Sequence, residues 1–224
     1  MPFLAARLSV PVPVPQKIGT PGCIFPYPWV IAPRLEGEPT SGAIISDMEQ
    51  FARELVGFLK QLQACPTDKA TAAGESCLPA GRGLPELASQ AEAALQRLDD
   101  QAASAVLRRI WQQALASKWD GKPVWVHGDL VPEHLLVQDG RLCGVIGFAS
   151  AAVGDPACDY AMAWTFFNGR SREIFLDGLD TDTVCRAKDW ALWVALTEQG
   201  GSDEAIPVRA EHIIRELLLE QCCS

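Results

Sequence analysis

Residues 124–160 read VWVHGDLVPEHLLVQDGRLCGVIGFASAAVGDPACDY, and the fold turns on how that stretch divides. Val124 to Val126 is a short apolar run of the kind that forms a buried strand. His127-Gly128-Asp129 follows as a tight, glycine-bearing loop. Leu135 to Val137 and Leu142 to Ile146 are two further strand candidates. Asp139-Gly140 between them is the strongest hairpin signal in the chain, because this pair accepts the positive φ of a two-residue turn. Asp155-Pro156 then opens a helix, with proline in its first turn and the carboxylate as a cap.

Working outward, the flanks read as mostly helical. Downstream, Tyr160, Trp164 and Phe167 share one helix face up to a break at Asn168-Gly169. Trp190, Trp193, Val194 and Ala195 mark another helix, and Ile213 to Leu219 a last one. Upstream, helices are expected at about 84–98 and 101–117, with a Gly/Pro/Ala-rich loop over 65–83. Ser46 or Asp47 caps a helix carrying Phe51, Leu55, Phe58, Leu59 and Leu62 at helical spacing. Pro33 to Pro39 is a polar connector, preceded by a short apolar strand at about 26–31. In residues 8–16, LSVPVPVPQ, proline alternates with valine, which excludes a central strand and leaves an extended edge or polyproline segment. There is no internal repeat.

At 224 residues, 48% hydrophobic and 21% charged, the chain has the balance of a globular protein with a sizeable core. A formal charge of −9 argues against a nucleic-acid binder. It leaves a cationic small-molecule partner open, and serves equally well as plain solubility. No apolar run is long enough for a membrane span and Met1-Pro2 lacks a basic secretory start, so no membrane partner and a cytoplasmic location are expected. The eight cysteines are scattered, with neither a CxxC pair nor zinc spacing, and are expected mostly as reduced core thiols.

The chemistry sits in His127-Gly128-Asp129. A carboxylate on a tight turn after a buried strand can accept the proton of an attacking hydroxyl, as phosphoryl transfer requires. His127 to His134 follows His-x-Asp-x-x-x-x-His, one residue from the kinase pattern H-x-D-x-x-x-x-N. A metal-dependent hydrolase built on His127, Asp129 and His134 is a weaker alternative.

HGDLVPEHLLV followed by GVIGFASAAVGDPACDYA resembles the phosphotransferase enzyme family typified by aminoglycoside and macrolide phosphotransferases. That family's pattern is close to HGDLxPxNLLV…GxIDFxxxxxGDPxxDLA. IAPRLEGEP resembles its interlobe hinge and FARELVGFLKQLQA its first long helix. GRGLPELASQAEAALQRL resembles its substrate-side helices, and AMAWTFFNGRSREIF the helix and turn after the metal strand.

The resemblance implies an α+β, protein-kinase-like two-lobe fold. Residues 1–36 would form a reduced N-lobe and hinge, and residues 37–224 a mainly helical C-lobe. It implies a small-molecule kinase using ATP or GTP with Mg²⁺, in which Asp129 is the catalytic base and His127 braces the loop. His134, at the family's asparagine position, would ligate the metal or hydrogen-bond the loop. Ile31, Ala32, Arg34 and Leu35 would form the nucleotide edge, with Pro33 removing one backbone donor. Asp159 would tie the catalytic loop to the helix behind it.

Two departures stand out. Ile146-Gly147-Phe148 replaces Ile-Asp-Phe, so the magnesium-binding aspartate is a glycine, and Ser150 replaces a second acidic residue common in relatives. Glu133 and Asp155 are the carboxylates nearest in sequence. Upstream of the hinge, Lys17 is the sole lysine, in a proline-flanked segment, so the chain reads as a family member starting partway through its N-lobe. A catalytically impaired member that keeps a ligand cleft is therefore the alternative to an active kinase.

Overall fold

The computed structural model describes residues 1–23, 25–69, 84–97, 101–116, 119–198 and 205–222. In chain order its elements begin with α1 (Pro2–Ala5), β1 (Lys17–Gly19), β2 (Trp29–Ile31), β3 (Glu38–Pro39) and α2 (Met48–Gln63). Then come α3 (Ala88–Leu95), α4 (Gln101–Ala116), β4 (Val124–Val126), β5 (Leu135–Gln138), β6 (Arg141–Val145) and β7 (Ala152–Gly154). The chain closes with α5 (Ala157–Tyr160), α6 (Met162–Thr165), α7 (Gly169–Leu176), α8 (Thr181–Glu198) and α9 (Ala205–Cys222). Among the described residues the strands form three small antiparallel sheets, β1–β2, β3–β5–β6 and β4–β7, against a mainly helical body. This is the expected α+β class.

The helix expected after residue 46 is α2, and Asp47 rather than Ser46 caps it, accepting the Gln50 N–H at 2.9 Å. Phe51, Leu55, Phe58, Leu59 and Leu62 form one buried stripe. Each such side chain stabilises by about 1.5–3 kcal/mol when removed from water. The stripe holds α2 against α7, β4 and β6.

β5 and β6 form the expected hairpin, with Asp139 at φ 52° and Gly140 at φ 75° in its turn. Leu135, Leu136 and Val137 are all buried, Leu135 and Val137 within the main core, and β3 covers the other edge of β5, pairing Pro39 with Leu136. A proline is tolerated on that outer strand since no further ladder bond is asked of it. Glu54 of α2 clamps the hairpin tip. Its carboxylate accepts the Leu142 N–H at 2.9 Å and pairs with the Arg141 guanidinium. Glu54→Ala leaves that backbone N–H without its acceptor and is expected to lower unfolding free energy in urea by about 1–3 kcal/mol.

Several features differ from expectation. β7 had no strand signal, yet Ala152 pairs with Val126 and Gly154 with Val124. β1 adds a strand directly after the proline-rich run. Residues 8–16 form no strand, with bends at Ser9, Val10 and Gln16, and Pro11, which has no N–H to offer, contributes its carbonyl to the Val145 N–H at 3.0 Å. Leu4, Leu8 and Val12 are buried in the main core. The helix expected at 84–98 begins as a tighter 3₁₀ turn, Leu84–Leu87, before α3. Leu98, Ser117 and residues 70–83 of the expected loop lie outside the described residues. Among the described residues, Cys23, Cys65, Cys143, Cys158 and Cys185 are free. Cys65 is buried, Cys158 is half-buried against the core, and Cys23 and Cys185 are exposed, so fewer are core thiols than expected. Cys77 and Cys223 lie outside the described residues.

The C-terminal helix is tied down by charge. Arg172 of α7 pairs with Glu216 at 2.7 Å and Glu220 at 3.0 Å on α9, and also donates to the Ala163 carbonyl at 2.7 Å. One side chain thereby links α6, α7 and α9.

Candidate active site

The site is built where β4 ends. Val126 is the last buried residue of the strand, and the chain then turns through His127, Gly128 and Asp129. A turn here leaves backbone N–H groups that cannot join the sheet and need partners. Asp159, buried on α5, supplies them: Oδ2 accepts the His127 N–H at 2.8 Å and Oδ1 accepts the Gly128 N–H at 2.9 Å. Burial outweighs those two bonds and raises the carboxyl to about 6, with Asp129 adding a smaller like-charge push. Asp159 thus ties the loop to the helix behind it.

His127 braces the loop from inside. Its ring is fully buried, and Nε2 lies 2.7 Å from the Ile146 carbonyl oxygen. A carbonyl only accepts, so Nε2 carries the proton, and Nδ1 receives the Asp129 N–H at 3.3 Å. Burial lowers the ring to about 4, so it is neutral near pH 7, and Phe148 packs edge-on at 4.6 Å between ring centres. The residue expected to brace the loop therefore joins β4, Asp129 and the end of β6.

Asp129 points its carboxylate outward, with 37% of its side chain exposed and Oδ2 3.7 Å from His134 Nδ1. That same Nδ1 lies 2.7 Å from the Asp129 carbonyl oxygen, so it carries the ring proton and donates it there. His134 comes from the 3₁₀ turn Pro132–His134, which opens just before β5. Thr40 steadies that turn from the connector, with Oγ1 donating to the Pro132 carbonyl at 2.6 Å.

Gly147 stands beside this ring with φ +83° and ψ 27°. A Cβ built on it would lie 2.4–2.5 Å from Nδ1, Cε1 and Cγ of His134. Asp129, His134 and the Gly147 backbone therefore meet, but none of the three lines the cleft that Arg34 borders. The other carboxylates are elsewhere: Asp155 caps α5 through the Ala157 N–H at 3.0 Å and holds Arg186 at 2.7 Å, and Glu133 is exposed. Ser150 is buried.

A magnesium ion asks for several oxygen ligands in octahedral array. His134 and Asp129 are two candidate donors, and among the described residues no group of three His, Cys, Asp or Glu side chains could hold a metal. With glycine at 147 the donor set lacks the carboxylate that the family pattern places there, so the residues present do not fit the ion that this pattern implies.

On the expected nucleotide edge, Ile31 ends β2, half exposed, and its carbonyl accepts the Gln16 N–H at 2.8 Å. Ala32 follows without a regular element. Leu35 turns inward against β6, where its methyl stands within 3.3 Å of a Cβ built on Gly144. Arg34 is exposed and lines an open cleft of about 730 Å³ with Glu38, Ile44, Gln138 and Asp139. Thr40 and Glu54 are the positioning residues that sequence reasoning missed. Neither lies in a motif, and their roles depend on contacts across 92 and 87 residues of chain.

A scan of known families matches residues 1–193 to the phosphotransferase enzyme family. The chain belongs to this family. A Bacillus subtilis (strain 168) member of the curated proteins, the uncharacterised YcbJ, is 29% identical over 196 residues, covering 80% of the chain and 60% of YcbJ. The chain therefore spans less than two thirds of that relative's length. Among solved structures, the GDP complex of wild-type aminoglycoside 2'-phosphotransferase-IIIa superposes with TM-score 0.71 at 17% identity, covering 98% of this chain and 79% of that one. Macrolide 2'-phosphotransferase type I superposes with TM-score 0.65 at 22% identity, covering 93% and 74%. At such identities the superpositions speak for the fold, which is the protein-kinase-like fold of these phosphotransferases.

Proposed function

We propose that this family member transfers the γ-phosphate of ATP or GTP to a hydroxyl of a small-molecule acceptor. Asp129 takes the hydroxyl proton as the oxygen–phosphorus bond forms, and the nucleoside diphosphate leaves with the electrons of the broken bond. The observation that carries this reading is the loop itself. Asp159 holds His127 and Gly128, and His127 and His134 hold the two backbone ends of Asp129, while its carboxylate stays exposed. Pre-organisation of that kind keeps a base in reach of a hydroxyl.

Residues 1–36 would act as a small lobe and hinge over residues 37–224, with Ile31 to Leu35 along the nucleotide. Nucleotide complexes among the structural relatives support a nucleotide in the cleft, including a GDP complex and a streptomycin–ATP ternary complex. Kanamycin and streptomycin in those relatives support a hydroxyl-bearing, cationic acceptor, and the net charge of −9 favours one electrostatically.

A second reading, a member that binds ligand without turnover, is favoured by Gly147, which offers no oxygen where the family pattern has aspartate. Loss of one electrostatic contact to the transition state commonly slows an enzyme about 10²–10³-fold. The test is label transfer from γ-labelled ATP and GTP to a panel of aminoglycosides and macrolides. Slow labelling of at least one acceptor is the expected result. Binding of an acceptor with no labelling of any would overturn transfer in favour of the second reading.

A further inference from the structure

We propose that Arg186 is a positioning residue for Asp129: from α8 it fixes the corner of backbone, at Asp155, from which both supports of the 127–129 loop extend. What this means for turnover rests on the base role given to Asp129, while the coupling itself is measured without turnover.

The corner is set by local sequence. Gly154 ends β7, and Pro156 precedes α5, so Asp155 joins a strand to a helix. Upstream of it, β7 pairs with β4, placing Ala152 against Val126, the residue from which the loop departs. Downstream, α5 carries Asp159, whose carboxylate accepts the His127 and Gly128 N–H groups. Asp155 itself starts that helix, with Oδ1 accepting the Ala157 N–H at 3.0 Å. A shift at Asp155 therefore reaches the loop by two routes, through the strand before it and the carboxylate behind it.

Arg186 holds this corner from the far side. Its side chain is 6% exposed, Nε donates to Asp155 Oδ2 at 2.7 Å, and Nη2 reaches Oδ1 at 3.4 Å. Nη2 also donates to Thr183 Oγ1 at 3.2 Å, and that hydroxyl donates to Asp180 Oδ2 at 2.8 Å. Asp180 Oδ1 accepts the Thr183 N–H at 2.8 Å, which anchors the guanidinium to the start of α8. That helix packs against α3, α4, α5, α6 and α9, so it is a fixed reference for the corner. Charge-assisted forked bonds of this kind add direction as well as strength. Among the described residues no hydrogen bond joins Arg186 to Asp129 or His134, so its influence on the loop runs through Asp155.

The test is amide hydrogen exchange on the whole protein, with neither nucleotide nor acceptor. The slowest amides of α2 report global opening, and the loop is compared with them. In Arg186→Gln, the His127 and Gly128 amides are expected to accelerate at least about tenfold more than those of α2. Arg186→Lys keeps an ammonium beside Asp155 and is expected to restore protection to within about threefold of wild type. Where wild type labels an acceptor, Arg186→Gln should lower kcat about 10–100-fold at a nucleotide KM within about threefold, as a misplacement of about 1 Å can. Faster exchange at 127 and 128 in a protein that labels nothing supports the coupling and removes the transfer reading. Wild-type exchange at both positions overturns the proposal. So does acceleration equal to that of α2, which would make Arg186 a support of the whole helical body. Should Arg186→Gln fail to fold, Asp155→Asn loosens the same pair from the other side, and unchanged exchange at 127 and 128 there overturns the proposal.

Discussion

Asp129→Asn is expected to lower phosphate transfer about 10²–10⁴-fold, the usual contribution of a positioned general base, while leaving Tm within a few degrees of wild type. The small structural effect follows from how the residue is held. Both fixing bonds use its backbone: the N–H reaches His127 Nδ1 and the carbonyl receives His134 Nδ1–H. Asparagine keeps both, and its side chain stays half in water. What disappears is the capacity to take a proton. Labelled-phosphate transfer measured beside a melting curve checks the prediction, and transfer within threefold of wild type would remove Asp129 from the role of base.

Asp159→Asn is expected to change the pH dependence of stability. Each carboxylate oxygen of Asp159 accepts a different backbone N–H. An amide replaces one acceptor with a donor, so one buried N–H loses its partner, at a cost of about 1–3 kcal/mol at low pH, where Asp159 is itself uncharged. Near neutral pH the amide is spared the burial of a charge, which offsets that cost. The effect depends on pH, and the sign can be worked out. Asp159 is raised to about 6 from an ordinary 3.8. The stability it contributes is therefore present below about pH 4 and lost as pH rises through about 6, some 3 kcal/mol in all. His127 runs the other way: lowered to about 4 from 6.5, it must stay neutral in the fold while the unfolded chain takes up a proton. Stability is thus lost as pH falls from about 6.5 to 4, by about 3 kcal/mol.

In wild type the two largely cancel across that window. In Asp159→Asn the histidine acts unopposed, so urea unfolding should show the variant losing stability on acidification relative to wild type. Cys158 and Asp129 also adjoin Asp159, and His134 adjoins His127, but these remain in both proteins, as does Asp189, pushed up to about 8 by burial on α8. Parallel pH curves for the two proteins would contradict the assignment.

Much of this site is written locally. Asp139-Gly140 set the hairpin because its turn angles are a property of those two residues. The histidine, carboxylate and later histidine fall within eight positions, so one loop had to bring them close. What could not be read locally depends on rotamers and distant contacts. The gap at Gly147 was visible in GVIGFAS, but not that the ring of His134 stands against it, since spacing does not fix where a side chain points. β7 escaped notice because Ala152-Val153-Gly154 is three residues long and mostly small, and only pairing with β4 makes it a strand. The buried positions of Leu4, Leu8 and Val12 recur every four residues, but the prolines among them obscured a segment that belongs to the core.

We propose that Asp129 serves as the base of a phosphotransferase-family nucleotide site in which residue 147 offers no side-chain oxygen to a cation. Calorimetric titration of ATP and of GTP into wild type, once in magnesium and once in EDTA, tests it most directly. The account predicts that at least one nucleotide binds and that its Kd agrees within about threefold between the two buffers, a difference below 1 kcal/mol. Binding tightened about tenfold or more by magnesium, or no heat from either nucleotide in either buffer, would contradict it.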